Sequence, residues 1–436
     1  MKVVFISQAF DQVLPPEQNS VGIWTYEVAR RLAAHEETTV IARRVRGKPA
    51  RAEVDGAHIE LISCAPPGAW ARASRAWRLL APGCRPLYAQ SFYAFEYLMQ
   101  VLRHVRRIQP DIIHLQNFPL HVPAIRFGCP KAAIVLHMHC DWLVQLDCRA
   151  MARGVAAADL VVGCSEHVVA AARSRFASAG VPFAVLANGV PVERIPANPP
   201  KRDGRTIVFA GRLSPEKGLH TLMEAWPKVI AARPDVRLEI VGPEAETPRE
   251  FLVDLSSEKE VRELARFYLG GSAFKGSYAN ALRAMIPSEL AHTVTFTDQL
   301  AQDLVLERIA RAALLVNPSL SESFGMSVIE AIATGTPVVA TRTGGMPEII
   351  KATGAGTIVE KNDPAALAEA ILRVLADPEG NAEIARYGAK RAAELFSWSR
   401  ITAFTRDLHC EALSARRSRS APPSKRADRI GFLKNV

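Results

Sequence analysis

Long apolar runs are missing from this sequence of 436 residues. No run reaches the roughly 18 residues that a membrane helix needs. The first ten residues, MKVVFISQAF, have the pattern of a short strand rather than of a charged region followed by an apolar segment. We therefore predict neither a transmembrane helix nor a signal peptide, and we expect a cytoplasmic protein. The seven cysteines are scattered and odd in number, which favours reduced thiols over a disulfide framework.

Acidic residues are fewer than basic ones, but the excess is unevenly spread. The chain has 54 lysine and arginine residues and 44 acidic residues, a net charge of +10. Residues 416–436 contain seven basic residues and one acidic residue, so this segment carries more than half of the excess. The nearly balanced remainder predicts no nucleic-acid partner. We expect residues 414–436 to form a basic, disordered tail, with contact to anionic lipid or to a protein partner as the alternative.

Motifs for a metal ion are also missing. No Asp-x-Asp pair ends a predicted strand. His137, His139, Cys140 and Asp141 are close in sequence, but alternate residues of a strand point to opposite faces and no second pair of spaced ligands follows. We therefore predict that the protein needs no metal ion and no other cofactor.

The length of the chain exceeds what one hydrophobic core usually supports, so two domains are expected. Alternating strand and helix patterns predict one α/β domain at residues 1–195 and another at residues 206–390. Residues 196–205 contain three prolines and a glycine with no apolar period. They are predicted to be the linker between the domains.

The most informative stretch is ESFGMSVIEAIATGTPVVATRTGGMPEII, residues 322–350. It follows a predicted apolar strand, and a helix is predicted to begin near Gly325. Glu322 lies on the loop and Glu330 lies in the helix, so both carboxylates are close to a helix N-terminus, which attracts anions. Carboxylates that bind hydroxyls, beside a dipole that binds phosphate, predict a nucleotide-sugar site.

A second charged loop, GRLSPEKG, follows the strand predicted at residues 206–210. Its Arg212 and Lys217 are separated by a turn at Ser214 and Pro215. A guanidinium can bridge two phosphate oxygens and an ammonium supplies a point charge. Together the two side chains are suited to neutralise a diphosphate.

These segments resemble a known family. ESFGMSVIEA, GRLSPEKG and TGGMPEI are similar to motifs of the glycogen-synthase-like retaining glycosyltransferases, the group 1 or family 4 enzymes. The resemblance implies an α/β protein of GT-B fold, with two Rossmann-like, doubly wound domains and an interdomain cleft. It implies transfer of a sugar from a UDP- or GDP-sugar to an acceptor hydroxyl, with retention of configuration. It also implies that residues 391–413 form a helix that crosses back to the first domain.

The resemblance further implies roles for individual residues. Arg212 and Lys217 would hold the leaving diphosphate, Glu322 the sugar hydroxyls and Glu330 the ribose. Further donor contacts are expected from Gly22, Gly242, Leu300, Ser323, Phe324, Gly325 and Met326. His139 would face the reaction centre from beyond a strand, with His137 as second choice and a buried, hydrogen-bonded histidine as the alternative.

Other polar residues follow the strand IIHLQ. Gln116 and Asn117, together with His137, lie where α/β sheets place ligand contacts, so they are candidates for binding acceptor hydroxyls. The basic, aromatic segment 64–107 is predicted to be a helical pair that faces water, with membrane contact as the alternative. The connection 243–293 is longer than such connections usually are, and its role stays open.

The motifs do not specify the acceptor. A small polyol, an aminocyclitol or a glycan precursor is favoured, with an envelope polysaccharide or a lipid-linked sugar as the alternative. Rivals from other classes are a GT-B epimerase, which acts on a sugar nucleotide without an acceptor, a phosphorylase, and a non-catalytic binding protein. The intact pairs Glu322 with Glu330 and Arg212 with Lys217 argue against a binding protein.

Overall fold

The computed structural model contains two mainly parallel β-sheets, one in each half of the chain. It describes residues 1–65, 87–195, 201–268 and 276–420 apart from 17, 46 and 91, together with 69, 72, 73, 76 and 77. Half of the predicted linker, residues 196–200, therefore lies outside the described residues. The same holds for most of segment 66–86 and for residues 269–275 and 421–436.

The first sheet has eight strands: β1 (Lys2–Ile6), β2 (Glu37–Arg43), β3 (Arg51–Val54), β4 (Ala57–Ile62), β5 (Ile112–Gln116), β6 (Ala133–Met138), β7 (Leu160–Gly163) and β8 (Phe183–Val185). Their order is β3-β4-β2-β1-β5-β6-β7-β8. The pairs are parallel except that β3 is antiparallel to β4. This order places the carboxyl ends of β5, β6 and β7 side by side.

The second sheet has six parallel strands: β9 (Thr206–Ala210), β10 (Arg237–Val241), β11 (Val294–Thr297), β12 (Leu314–Asn317), β13 (Val338–Thr341) and β14 (Thr357–Val359). Their order is β11-β10-β9-β12-β13-β14. The order reverses between β9 and β12, and ligands of open α/β sheets bind at such a point.

Helices connect the strands. In the first half they are α1 (Ser20–Leu32), α2 (Phe95–Ile108), α3 (Val122–Gly128), α4 (Trp142–Gln145), α5 (Cys148–Ala157) and α6 (Glu166–Arg175). In the second half they are α7 (Leu219–Ala232), α8 (Arg249–Leu252), α9 (Lys259–Glu263), α10 (Tyr278–Met285), α11 (Gln302–Arg311), α12 (Met326–Ala333), α13 (Met346–Thr353), α14 (Pro364–Ala376), α15 (Pro378–Phe396) and α16 (Trp398–Ser420). Among the described helices, none is both long and apolar enough to cross a membrane.

The central strands of each sheet are buried on both faces, which explains why they are almost entirely apolar, whereas the edge strand β3 is not buried. In β1, Val4 and Ile6 belong to one apolar cluster, whereas Val3 and Phe5 belong to the cluster on the opposite face. The first of these clusters also contains residues of the second half, such as Phe324. The two domains are therefore in apolar contact beside the cleft.

The chain crosses between the domains at Ser397, where α15 ends and α16 begins. Trp398 is fully buried in the apolar cluster that α1 and β1 form. A side chain on Gly189 would come within 2.4 Å of the Trp398 ring, so the tryptophan lies directly on that backbone. This contact holds α16 against the first sheet.

The expectation of a disordered tail from residue 414 is wrong for residues 414–420, which continue α16. Arg419 donates to the carbonyl oxygens of Ala158 and Gly180, at 2.7 and 2.9 Å. Arg416 donates to the carbonyl oxygen of Pro130. These arginines bind loops of the first domain. They therefore hold the end of α16 against that domain rather than belonging to a disordered tail.

Candidate active site

Lys217 and Glu322 form an ion pair between the two charged loops of the second domain. The Lys217 Nζ lies 2.7 Å from Glu322 Oε2, and only 17% and 16% of the two side chains are exposed. Burial opposes ionisation of Glu322, but the Lys217 ammonium and the backbone N–H groups of Ser323 and Phe324 lower its pKa below the ordinary value. Glu322 is therefore an anion at neutral pH and can accept hydrogen bonds from hydroxyls.

Arg212 lies on the same loop as Lys217 and is partly open to solvent. Its Nη2 is 3.2 Å from Oε1 of Glu216, and 46% of the arginine side chain is exposed. Glu216 itself is buried and also accepts from Ser214 and from Thr247 Oγ1, the latter at 2.6 Å. Glu216 thus holds Nη2 of the guanidinium, and among the described residues no other carboxylate pairs with it, so the group can still bind an anion.

Helix α12 presents its N-terminus next to this pair. Its N-cap is Gly325, with φ of +109°, and no side chain in the described part of the chain caps it. A Cβ at Gly325 would be 2.6 Å from Met346 Cγ, so the loop passes close to α13. Ser323, Phe324 and Met326 flank this turn, and Phe324 is buried against Phe396. The free N–H groups of the first turn favour a phosphate here.

Glu330 lies in α12 and is 8% exposed. Its Oε1 accepts from Gln302 Nε2 at 3.2 Å. Burial raises its pKa to about 7, and the Gln302 hydrogen bond only partly offsets this. Unlike Glu322, it has no cation beside it to hold its charge in the described structure, so it titrates near neutral pH.

A glycine pair before α13 brings the Glu322 loop against the first domain. Gly344 lies so close to the Glu322 carbonyl oxygen that a Cβ would be 1.6 Å from it. At Gly345 a Cβ would be 2.9 Å from Cβ of Ser165, in the first domain. Ser165 Oγ donates to the Ser323 carbonyl oxygen at 2.6 Å. The backbone of the Glu322 loop and the Ser165 side chain of the first domain therefore occupy the space that a side chain at these glycines would need.

Glu348 makes a second contact across the cleft. Its two carboxylate oxygens each accept, at 2.8 Å, from the backbone N–H groups of Glu166 and His167. These are the first residues of α6, so a carboxylate of one domain binds the N-terminus of a helix of the other. The sequence analysis missed this role, although the motif TGGMPEI contains Glu348.

His139 directly follows β6. Its backbone N–H donates to Asn117 Oδ1 at 2.6 Å, and its Nε2 lies 2.8 Å from Gln116 Oε1. Burial lowers its pKa to about 3, so the imidazole is neutral at physiological pH. A neutral His139 can orient a ligand but does not supply a positive charge.

Gln116, Asn117 and His137, the candidates for binding acceptor hydroxyls, contact other residues of the first domain. All three are buried. Gln116 and Asn117 use their side-chain oxygens on His139, as described above, and His137 Nδ1 is 3.1 Å from Nε2 of His114. His114 in turn contacts His409 of α16 at 2.9 Å. These contacts position the His139 loop, and the predicted contacts with an acceptor stay predictions.

The remaining predicted donor residues lie at loop turns. Gly22 is in the first turn of α1, and a Cβ there would be 2.0 Å from the Gln12 carbonyl oxygen. Gly242 approaches the Gly211 carbonyl equally closely. Leu300 follows β11 and is half-buried against the cluster that both domains share. At Gly22 and at Gly242, a backbone carbonyl of the chain itself therefore explains why a side chain would not fit.

The described residues contain no group of three or more histidine, cysteine, aspartate or glutamate side chains that could hold a metal ion. Cys140 instead contacts Asn117 Oδ1 at 3.8 Å, and the His137 and His139 rings lie 4.0 Å apart, centre to centre. Asp11 is a buried carboxylate that the sequence did not single out, and burial raises its pKa. It organises the loop after β1 through Asn19, at 2.6 Å.

Two family models match the chain. Residues 192–391 match glycosyl transferases group 1, and residues 21–194 match glycosyltransferase family 4. A D-inositol 3-phosphate glycosyltransferase of Streptomyces avermitilis is 31% identical over 218 residues, covering 50% of this chain and 42% of that protein. The alignment thus spans less than half of that relative's length.

Solved structures share the whole architecture. Sucrose-phosphate synthase from Thermosynechococcus elongatus has a TM-score of 0.70 at 19% identity, covering 95% of this chain and 100% of that one. HepE of Anabaena, in complex with UDP-glucose, has a TM-score of 0.61 at 19% identity, with coverage of 95% and 100%. The chain therefore belongs to the group 1 glycosyltransferases and has the GT-B fold that its three motifs predicted.

Proposed function

We propose that the protein transfers a sugar from a nucleoside diphosphate sugar to an acceptor hydroxyl, with retention of configuration. The bond between the anomeric carbon and the diphosphate oxygen breaks, and a bond from that carbon to the acceptor oxygen forms on the same face. The acceptor proton passes to the leaving diphosphate, so no side-chain base is required. The protein then contributes by holding the charge that develops on the diphosphate.

The observation that carries this proposal is the Lys217–Glu322 pair beside the N-terminus of α12. An ammonium has three N–H donors, so Lys217 can maintain its ion pair with Glu322 and still donate to a phosphate oxygen. Arg212 contributes its exposed face, because Glu216 occupies only one edge. Glu322 Oε1 accepts from the Ser323 N–H at 3.2 Å and has a further lone pair for a sugar hydroxyl, and His139 lies in the opposite domain.

The proposed donor is a UDP- or GDP-sugar, and the proposed acceptor is a small polyol or a related cyclitol. HepE is a structural neighbour with UDP-glucose bound, and the Streptomyces relative is described as acting on D-inositol 3-phosphate. We place the donor on the second domain and the acceptor on the first. A lipid-linked sugar or a polysaccharide is the alternative acceptor, on the same side of the cleft.

A panel of UDP- and GDP-sugars tests the proposal. We expect one nucleotide class to raise the Tm of the protein in a concentration-dependent way, since a ligand that binds only the folded state stabilises it. Turnover should persist in EDTA, because lysine, arginine and a helix N-terminus hold the diphosphate. The anomeric coupling in the product's NMR spectrum reports retention. Loss of all turnover in EDTA would contradict the metal-independent mechanism.

Glu330 gives the binding of the donor a pH dependence. Its pKa is about 7 in the fold, against an ordinary value of 4.5, so the folded protein keeps a proton that the unfolded chain has lost. Ribose hydroxyls that donate to Glu330 favour its ionised form. We therefore expect the affinity for UDP-glucose to rise about tenfold between about pH 6 and about pH 8, as Glu330 ionises.

Glu330→Gln is the control for this pH dependence. The amide cannot ionise, so calorimetric titrations of the variant should give an affinity that is flat across the same pH interval. The variant should also lose the stability penalty of a buried charge, which is absent below the ordinary pKa and complete above about pH 7. An equally steep pH profile in both proteins would show that another group is responsible.

A further inference from the structure

The long connection between β10 and β11 begins with a segment, residues 244–255, that we call the arm. Its Thr247 is tied to the Arg212 loop: the backbone N–H donates to Ser214 Oγ at 2.9 Å, and Oγ1 donates to Glu216 Oε1 at 2.6 Å. Glu216 is the residue that holds Arg212. One end of the arm is therefore built into the loop proposed to bind diphosphate.

The other end of the arm touches the first domain. The Phe251 ring of α8 lies 4.4 Å from the Tyr88 ring and 5.8 Å from the Trp142 ring, both edge to face. Tyr88 OH donates to the Glu250 carbonyl oxygen, and Trp142 Nε1 lies 3.4 Å from that of Phe251. Three aromatic rings and two polar contacts thus join the domains at this point.

These contacts reach the loop that carries His139. Trp142 is the first residue of α4 and lies three positions after His139. Phe251 and Leu255, four positions apart, pack on the cluster shared by both domains, whereas Leu252 and Val253 pack on the core of the second. The arm therefore has one face for each domain, which a simple surface loop would lack.

We propose that the arm couples the Arg212 loop of the second domain to the His139 loop of the first. Phe251 acts as a positioning residue that orders the His139 loop when a nucleotide binds. This inference rests on the proposed function, because it takes the Arg212 loop as the nucleotide site. The chemistry that it serves is exclusion of water: an ordered His139 loop closes the cleft over the reacting sugar, so that an acceptor hydroxyl rather than water is the nucleophile.

Hydrogen exchange measured by mass spectrometry tests the coupling, on wild-type protein and on Phe251→Ala. Without nucleotide, we expect exchange in residues 140–146 of the variant to be about tenfold faster than in wild type, because its brace is lost. With saturating UDP, or GDP in a second series, residues 322–328 should be protected in both proteins. Residues 140–146 should gain protection only in wild type.

Arg249→Ala is the matched control. It lies on the same short helix and removes an exposed ion pair with Asp254, so it should leave both segments unchanged. Tyr88→Phe keeps the aromatic ring and loses only the hydrogen bond to Glu250. It should therefore raise the exchange rate of residues 140–146 by less than Phe251→Ala does. This variant tests the proposal even if Phe251→Ala folds poorly. Wild-type exchange of 140–146 in both aromatic variants would overturn the proposal. Failure of UDP and GDP to protect 322–328 in wild type would instead count against the proposed function.

Discussion

Replacing Lys217 by methionine will lower kcat/KM by about 10²–10³-fold, the usual effect of removing one donor from a site of developing charge. It will also destabilise the fold by about 3 kcal/mol, because Glu322 is left as a largely buried carboxylate without a counterion. Steady-state kinetics and urea unfolding measure the two effects. The loss of stability should shrink as the pH falls below the ordinary pKa of glutamate, since a protonated Glu322 needs no partner.

Lys228 supplies the comparison for this substitution. It pairs with Glu369 at 2.9 Å, a distance close to that of the Lys217 pair, but 51% and 57% of the two side chains are exposed. Lys228→Met should therefore change stability by less than about 1 kcal/mol and leave turnover intact. If Lys217→Met kept wild-type kcat/KM, the diphosphate would have to be held elsewhere.

Alanine at Gly344 will have the second large effect. The residue has φ of +55°, which costs an L-residue about 1–2 kcal/mol, and its new methyl group would fall 1.6 Å from the Glu322 carbonyl oxygen. The overlap adds a further cost of about 1–3 kcal/mol. Because the displaced backbone carries Glu322, we expect turnover to fall by about 100-fold, as a small misplacement of a reacting group can cause.

Gly180→Ala separates the two contributions. Its φ of +61° is almost the same as that of Gly344, but a Cβ there meets nothing within 4 Å. Urea unfolding of this variant therefore measures the backbone cost alone, and its turnover should match that of wild type. Equal losses of stability and activity in the two variants would mean that the contact between Gly344 and Glu322 is not critical.

Local motifs allowed the second domain and its charged loops to be predicted. Arg212, Lys217, Glu322 and Glu330 lie on the predicted loops and helix, because strand ends, turns and helix starts are specified by residues a few positions apart. The predicted ligand roles of these four residues stay predictions. What the local pattern supplies is their grouping at the ends of β9 and β12.

Contacts between distant residues could not be read from the sequence. Ser165 with Ser323, and Thr247 with Glu216, are separated by 158 and 31 positions, and no periodicity links them. A polar residue after a strand looks the same whether it faces a ligand or a neighbour. For this reason the contact of Gln116 with His139 could not be predicted, and its role toward an acceptor stays a prediction. The arginines of residues 414–420 likewise form the same pattern in a docked helix as in a disordered tail.

Helix α16 has a consequence for how the protein is made. It shares an apolar cluster with Trp24 of α1 and Phe5 of β1, yet the whole second domain separates it from them in the chain. The contact between His409 and His114 joins residues that are 295 positions apart in the sequence. During translation the N-terminal half therefore leaves the ribosome before α16 does, and its sheet still exposes apolar surface. This half stays shielded or incompletely folded until the second domain and α16 have been translated.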